Sequence, residues 1–357
     1  MPAALVVGGS GYLGQFLIRA FLERGWRTHY TFRSAGALPG CDDAVGHEVD
    51  ASDASAMDAC VAAVFADPAF SGPEDDPRLD LVVNCAAISS PGACEKDEAE
   101  ARATNVPAAL LRALATLRAA RLEAASAGGR APPLLIHLST DQVYSGLDAM
   151  SVESTHAARP VNAYGRSKAE AEASLAAEYP GRHVALRSSI ITGPRPPFRD
   201  VARPLFTDFI VKSLKGTEPV SFFEDEYRCP IAATDLARVC LAFGDGAPFA
   251  RATRASDDAT KGEIEGGERS IRSDRSEAAE VNAFNAGGPD RVSRVDMARV
   301  AARVMGVSDA NVRAVPSASV NRGVASPADI SMDSAALEKA TGVRAMSFEE
   351  QMRAALE

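Results

Sequence analysis

The stretch Ala3-Ala4-Leu5-Val6-Val7-Gly8-Gly9-Ser10-Gly11-Tyr12-Leu13-Gly14 decides the fold. Residues 3–7 are short and uniformly apolar, the pattern of a strand buried on both faces. Residues 12–24 then read as a helix. Between them, Gly8 permits a sharp turn off the strand, and Gly11 lets backbone approach a pyrophosphate with no side chain in the way. Gly14 lets the helix lie close to the sheet. The unpaired N–H groups at the helix start would face phosphates. This predicts a dinucleotide-binding βαβ unit, with Ser10, Tyr12 and Leu13 completing the cofactor loop.

Working outward, strand and helix patterns alternate. Strands are expected at 27–32, 44–49, 79–84, 134–139 and 183–188, with helices at 54–65, over 95–121 as one or two, and at 162–178. Such alternation specifies a parallel sheet covered on both faces. The expected class is α/β: a Rossmann-type doubly wound parallel sheet with a smaller C-terminal α/β substrate-binding part. Residues 1–190 form the cofactor domain and 281–292 return to it; residues 191–357 mainly form the substrate-binding part. In that part, 194–204 reads as a loop, 205–214, 234–243, 293–305 and 347–356 as helices, and 219–223 and 281–285 as strands. Residues 244–280 carry almost no large apolar side chains and cannot offset their ordering entropy, so they are expected to be a mobile insertion. Residues 67–78 and 124–132 read as lengthened loops.

The chain of 357 residues has a formal net charge of -10, which argues against a partner tracked along a nucleic-acid backbone. Six cysteines lack C-x-x-C or zinc-like spacing, as expected of reduced thiols, and no metal site is expected. Asp75, Asp76 and the acidic residues at 95–100 read as solvated faces. His137 and His183 fall within strands and read as packed or hydrogen-bonded. No apolar run approaches the ~20 residues needed to span a bilayer. With no leader pattern before the first strand, a soluble, cytoplasmic protein without membrane association is expected.

The end of the second strand discriminates between nicotinamide cofactors. An acidic residue there binds the adenosine 2′-hydroxyl, whereas arginine suits a 2′-phosphate. The segment reads Tyr30-Thr31-Phe32-Arg33-Ser34, so Arg33 and Ser34 point to NADP(H). At the reactive end, Tyr164-Gly165-Arg166-Ser167-Lys168 places Tyr and Lys four apart on one helix face. A neighbouring ammonium would lower the phenol from its reference near ~10, fitting Tyr164 for proton transfer to a carbonyl or alcohol oxygen. Residues 134–139 end in hydroxyls at a strand C-terminus, where ligands bind in open parallel sheets, so Thr140 is a partner for the reacting oxygen.

The glycine loop, Asn84-Cys85-Ala86-Ala87, Ser139-Thr140-Asp141-Gln142-Val143-Tyr144 and Tyr164-Gly165-Arg166-Ser167-Lys168 together resemble the extended short-chain dehydrogenase/reductase family. Within it, the Ser-Thr-Asp-x-Val-Tyr run resembles the dTDP-4-dehydrorhamnose reductase group, which includes the regulatory β-subunit of methionine adenosyltransferase. The resemblance runs on through 285–288 and 329–334. It implies NADP(H) as cofactor, Tyr164 as proton donor, and Lys168 on the nicotinamide ribose. It also implies Asp50 near the adenine, with Ala86, Ala87 and Asn105 along the cofactor. Arg187 and Ser188 would lie near the nicotinamide, and Asp141 and Arg228 at the substrate. Asp235 reads as a helix cap. The sequence departs from the group after Tyr144, where Ser145-Gly146 replaces an aromatic-Asp-Gly turn, and Trp26 is the only tryptophan.

The expected reaction is NADPH-dependent reduction of a 4-keto nucleotide-sugar, with Arg195, Arg199 and Arg228 as partners for the substrate pyrophosphate. Two rivals stand beside it: a non-catalytic NADP-binding regulatory subunit of methionine adenosyltransferase, and a nucleotide-sugar epimerase or dehydratase. Expected partners are correspondingly a nucleotide-sugar, a second copy in a homodimer, or a methionine adenosyltransferase catalytic subunit.

Overall fold

A computed structural model describes residues 1–34, 36–67, 79–125, 131–249 and 282–357, with backbone alone for 120–125. The expected insertion from residue 250 to 280, residues 68–78 with Asp75 and Asp76, and residues 126–130 lie outside the described residues. The first half runs β1 (Ala3–Val7), α1 (Tyr12–Glu23), β2 (Arg27–Phe32), β3 (Ala44–Glu48), α2 (Ala54–Phe65), β4 (Leu81–Asn84), α3 (Pro91–Lys96), α4 (Glu98–Asn105), α5 (Ala108–Ala125), β5 (Leu134–Thr140), α6 (Ala163–Glu178) and β6 (His183–Ser188). The second runs β7 (Ile191–Thr192), α7 (Phe206–Lys215), β8 (Val220–Phe223), β9 (Tyr227–Arg228), β10 (Ile231–Ala232), α8 (Ala233–Gly244), β11 (Ala283–Ala286), β12 (Val292–Ser293), α9 (Arg294–Met305), β13 (Val312–Val315), α10 (Ala335–Thr341) and α11 (Phe348–Leu356).

Seven of these strands form a parallel sheet in the order β11-β6-β5-β4-β1-β2-β3. The strand order reverses beside β1, which pairs with β2 on one side and β4 on the other. That switch point opens a crevice at the strand C-termini. Alternation along β1 explains its uniform apolarity. Ala4 and Val6 join Phe16, Phe21 and Leu236 beneath α1 and α8, while Leu5 and Val7 join Met57, Val61 and Leu114 beneath α2 and α5. A smaller core of Ile210, Phe222, Ala298, Val312 and Phe348 unites α7, β8, α9, β13 and α11. Among the described residues, no helix is long and apolar enough to cross a membrane.

Three helices occupy the stretch expected to hold one or two. Asp97 breaks the first from the second and caps α4 by accepting from Glu100 N at 2.8 Å. Val106 takes an extended backbone ahead of Pro107, which disfavours helical geometry in the preceding residue. Strands β7, β9, β10 and β12 have two residues each, too short to carry any period. Asp235 does not cap α8. Its carboxylate accepts from Met346 N at 2.9 Å and from Arg238 at 3.1 Å, stapling the C-terminal segment to the helix.

Candidate active site

Gly8 opens the crevice. It has φ +78°, and a Cβ there would stand 2.8 Å from the backbone nitrogen of Ala86, so the turn admits glycine alone. Gly14 departs from expectation: a Cβ there would meet Gly8 O and Gly9 Cα, both at 2.6 Å, so the close approach is to the phosphate loop rather than the sheet. Gly8, Gly11, Tyr12, Leu13 and Gly14 line a cavity of about 700 Å³. Ala87 and the unforeseen Cys85 line it from the β4 exit. Ser10 is not among the lining residues and its carbonyl accepts from Gln15, and Ala86 backs the loop. Asn105 stands behind the wall. Its amide accepts from Ile88 N at 2.7 Å and donates to Ser167 Oγ at 2.9 Å, tying the β4 exit to α6.

The cavity continues to Thr140, Asp141, Tyr164, Lys168 and Ser188. Helix α6 can come this close because residue 165 is glycine; a Cβ there would collide with the Gln142 carbonyl. Its N-terminus is fixed by Asn162, which accepts from Gly165 N at 2.9 Å. Tyr164 is buried, and Thr140 lies within hydrogen-bonding reach of its phenol. The Thr140 hydroxyl donates to Asp141 Oδ1 at 3.1 Å, and Ser189 Oγ donates to Asp141 Oδ2 at 2.8 Å. Burial pushes the Asp141 carboxyl up, against the pull of Arg228.

The net shift of the Tyr164 phenol is upward, not the fall that the Lys168 spacing implied. Burial raises that phenol well above its usual value, and Thr140 offsets only part of the rise. The Lys168 ammonium instead points into the sheet, donating to Leu138 O at 2.7 Å. His137 Nε2 lies 3.4 Å from Lys168 Nζ. Ala86 N donates to Asn84 Oδ1, so the Asn84 amide presents its Nδ2 as donor to His137 Nδ1, at 3.1 Å. That assignment leaves the imidazole proton on Nε2, facing the lysine. Burial, unrelieved by His137, lowers Lys168 from its ordinary value to about 8.

A buried lysine held this low makes stability depend on pH. The folded value lies below the unfolded one near ~10.4, so the unfolded chain binds more protons between those two values. Stability due to this group therefore rises with pH from about 8 upward. The buried Cys60 and Cys229 thiols and the half-buried Cys85 thiol, all raised by desolvation, titrate in the opposite sense, so the difference between proteins is the useful quantity. The advantage of Lys168→Met over wild type is expected to shrink by on the order of 3 kcal/mol from pH 7 to 10.5. Urea melts at stepped pH measure it, and a pH-independent difference would refute the depressed value.

Arg228, Arg294 and Arg322 form a cationic wall next to Asp141, and Arg203 lines the cavity separately, near Tyr164. Buried Glu226 sits among three of them, 2.5 Å from Arg322, 3.7 Å from Arg294 and 3.9 Å from Arg228. Asp141 also acts on Arg228 and Arg294, and Asp329 on Arg228, so the charge of these guanidiniums is partly offset. Arg228 was foreseen here; Arg203, Arg294 and Arg322 were not. Arg195 and Arg199 do not line the cavity.

Arg187 is a further correction. Rather than facing the nicotinamide end, it is buried against α6, with Nη2 2.7 Å from Glu172 and Nη1 2.9 Å from Tyr144 Oη. Alternation along β6 turns this side chain into the sheet–helix interface while Ser188 reaches the cavity. Arg33 and Ser34 stand at the exit of β2, outside the cavity lining, with Arg33 66% exposed and 3.8 Å from Asp50. Asp50 accepts from Ser52 N and Oγ. Among the described residues, no group of His, Cys, Asp and Glu could hold a metal ion.

Comparison with known proteins places this geometry in context. The family model described as the RmlD substrate binding domain matches residues 3–251. The chain is 27% identical over 240 residues to a probable low-salt glycan biosynthesis reductase of Haloferax volcanii, covering 67% of this chain and 69% of that one. It is 32% identical over 160 residues to methionine adenosyltransferase 2 subunit beta of Danio rerio, covering 45% and 44%. Among solved structures, dTDP-4-dehydrorhamnose reductase from Bacillus anthracis, in complex with NADP, superposes with a TM-score of 0.67 at 17% identity, over 99% of this chain and 98% of that one. UDP-glucose 4-epimerase from Brucella ovis, in complex with NAD, gives 0.71 at 19%, over 99% and 97%. At these identities the superpositions speak to the fold alone.

Proposed function

Because the chain belongs to the RmlD substrate binding domain family, within the NAD(P)-dependent extended short-chain dehydrogenases/reductases, we propose that it is an NADPH-dependent reductase of a 4-keto nucleotide-sugar. The observation that carries this reading is the cavity itself, lined by a phenol–hydroxyl pair and by a cluster of guanidiniums. A keto-sugar attached to a diphosphate needs both. The glycine loop fits a dinucleotide, since Gly11 would meet only Gly8 O with an added Cβ and otherwise leaves its backbone open to the cavity.

A bound nicotinamide dinucleotide supplies hydride to the carbonyl carbon. The chain's own residues do the rest. Burial keeps Tyr164 protonated, so its O–H is a donor to the carbonyl oxygen as negative charge develops there. Thr140 keeps its proton and turns its hydroxyl from Asp141 to donate a hydrogen bond to that same oxygen. Arg228, Arg294 and Arg322 hold the diphosphate through charge-assisted bonds. Lys168, one turn beyond Tyr164 on α6, lines the same cavity and would bond a ribose hydroxyl there if its ammonium left the Leu138 carbonyl.

The test is NADPH oxidation with a dTDP-4-keto-6-deoxysugar, expected to consume one cofactor per sugar reduced. Failure to turn over any keto-sugar, together with co-purification with a methionine adenosyltransferase, would replace this reading with the regulatory one that the Danio rerio relative favours. Cofactor choice is tested separately. Arg33→Ala is expected to weaken NADPH binding about tenfold and leave NADH nearly unchanged. Tighter binding of NADH than of NADPH by the wild-type protein would overturn the choice of NADP(H).

A further inference from the structure

Residues 193–205 bridge the crevice, and a few contacts fix their course. Tyr12 Oη donates to Pro194 O at 2.9 Å. The fully buried Gln15 amide grips the next stretch in both senses. Its Oε1 accepts from Phe198 N at 3.1 Å and Arg199 N at 2.9 Å, and its Nε2 donates to Arg199 O at 2.9 Å and Ser10 O at 3.3 Å. Farther along, Arg203 donates to Ser89 Oγ at 2.9 Å, beyond β4. A side chain that spends its whole hydrogen-bonding capacity on one neighbour and the phosphate loop is a positional device. Through Ser10, the backbone of residue 199 is located relative to the phosphate loop itself.

From that anchor the Arg199 side chain reaches the segment that follows β2. Its Nη2 donates to Gly36 O at 3.4 Å, and its charge acts on the phenol of Tyr30 within β2. The exit of β2 is where a fold of this topology receives the adenosine 2′-position. Arg33 and Ser34 come to that place from β2, and Arg199 comes to it from 163 residues beyond Gly36.

We propose that Arg199, positioned by Gln15, is a second cation for the adenosine 2′-phosphate, so that the bridging segment shares in cofactor selection. The inference rests on the NADP(H) reading of Arg33. A doubly charged phosphate presents oxygens on several sides, and two guanidiniums arriving from different elements engage it better than one exposed side chain.

The test uses the full chain and two nucleotides that differ only in the 2′-phosphate: adenosine 2′,5′-bisphosphate and adenosine 5′-monophosphate. By calorimetry, wild type is expected to prefer the bisphosphate. Arg199→Met is expected to weaken the bisphosphate about tenfold while leaving the monophosphate within twofold, and Arg199→Lys to retain part of the preference. An undiminished preference in Arg199→Met, or equal weakening of both nucleotides in Met and Lys variants alike, would overturn the role of Arg199 and leave the NADP(H) reading intact. No preference in the wild-type protein would overturn that reading, and this inference with it.

Discussion

Tyr164→Phe is expected to lower kcat for keto-sugar reduction about a thousandfold while leaving the Kd for NADPH within twofold. General acid catalysis by one positioned group contributes roughly a hundred- to ten-thousandfold, and the site offers Tyr164 a setting suited to that share. The phenol is buried and pushed upward, which favours its protonated form, and Thr140 stands beside it. Phenylalanine preserves the ring and its packing against Ala163, Cys94 and Ala101. Folding should change little, because the lost hydroxyl has one hydroxyl partner that keeps its bond to Asp141. Steady-state kinetics and cofactor titration on the same preparation separate chemistry from binding. A variant that turns over normally would remove Tyr164 from the reaction, and one that loses NADPH affinity as well would make its role structural.

What was legible in the sequence is what local order encodes. The phosphate loop is contiguous, and the helical repeat joins Tyr164 to Lys168 across one turn. Both therefore appear as motifs, and the cavity brings their residues together with Thr140. The cationic wall was legible only at Arg228, because Arg294 and Arg322 arrive from separate segments and meet at Glu226 through tertiary packing alone. Glu172 carried a signal that went unread: it lies one further turn along the stripe of Tyr164 and Lys168. Reading that stripe to its end would have removed Arg187 from the cofactor, since a buried glutamate on the covering helix needs a cation opposite. The direction of the Lys168 ammonium was not legible for a related reason. Spacing puts two residues on one face but does not say which carbonyl the ammonium will choose, here Leu138 O.

The same stripe sets the largest expected effect on stability. Glu172 and Arg187 are a buried pair joined by bonds of 2.7 and 3.0 Å, with Ser139 Oγ donating to the carboxylate at 2.5 Å and Arg187 lying 5.2 Å over the Tyr144 ring. Burial alone would pull the Arg187 guanidinium down, but the Glu172 carboxylate outweighs it and holds the group charged. Tyr144 passes the network to Asn285 of β11 at 2.7 Å, so α6, β6 and the returning strand share one polar core. Removing the negative charge strands the positive one in a low-dielectric interior. Glu172→Gln is therefore expected to cost about 3–5 kcal/mol of unfolding free energy, well above a typical surface substitution. Removing both charges relieves that penalty: Glu172→Leu combined with Arg187→Met should recover most of the loss, because an apolar pair of similar volume can replace a buried ion pair with little net cost. Urea denaturation of wild type, Glu172→Leu, Arg187→Met and the double variant closes a thermodynamic cycle. Single-variant losses that simply add in the double variant would mean the two side chains act independently, and the paired-charge account of this interface would fall.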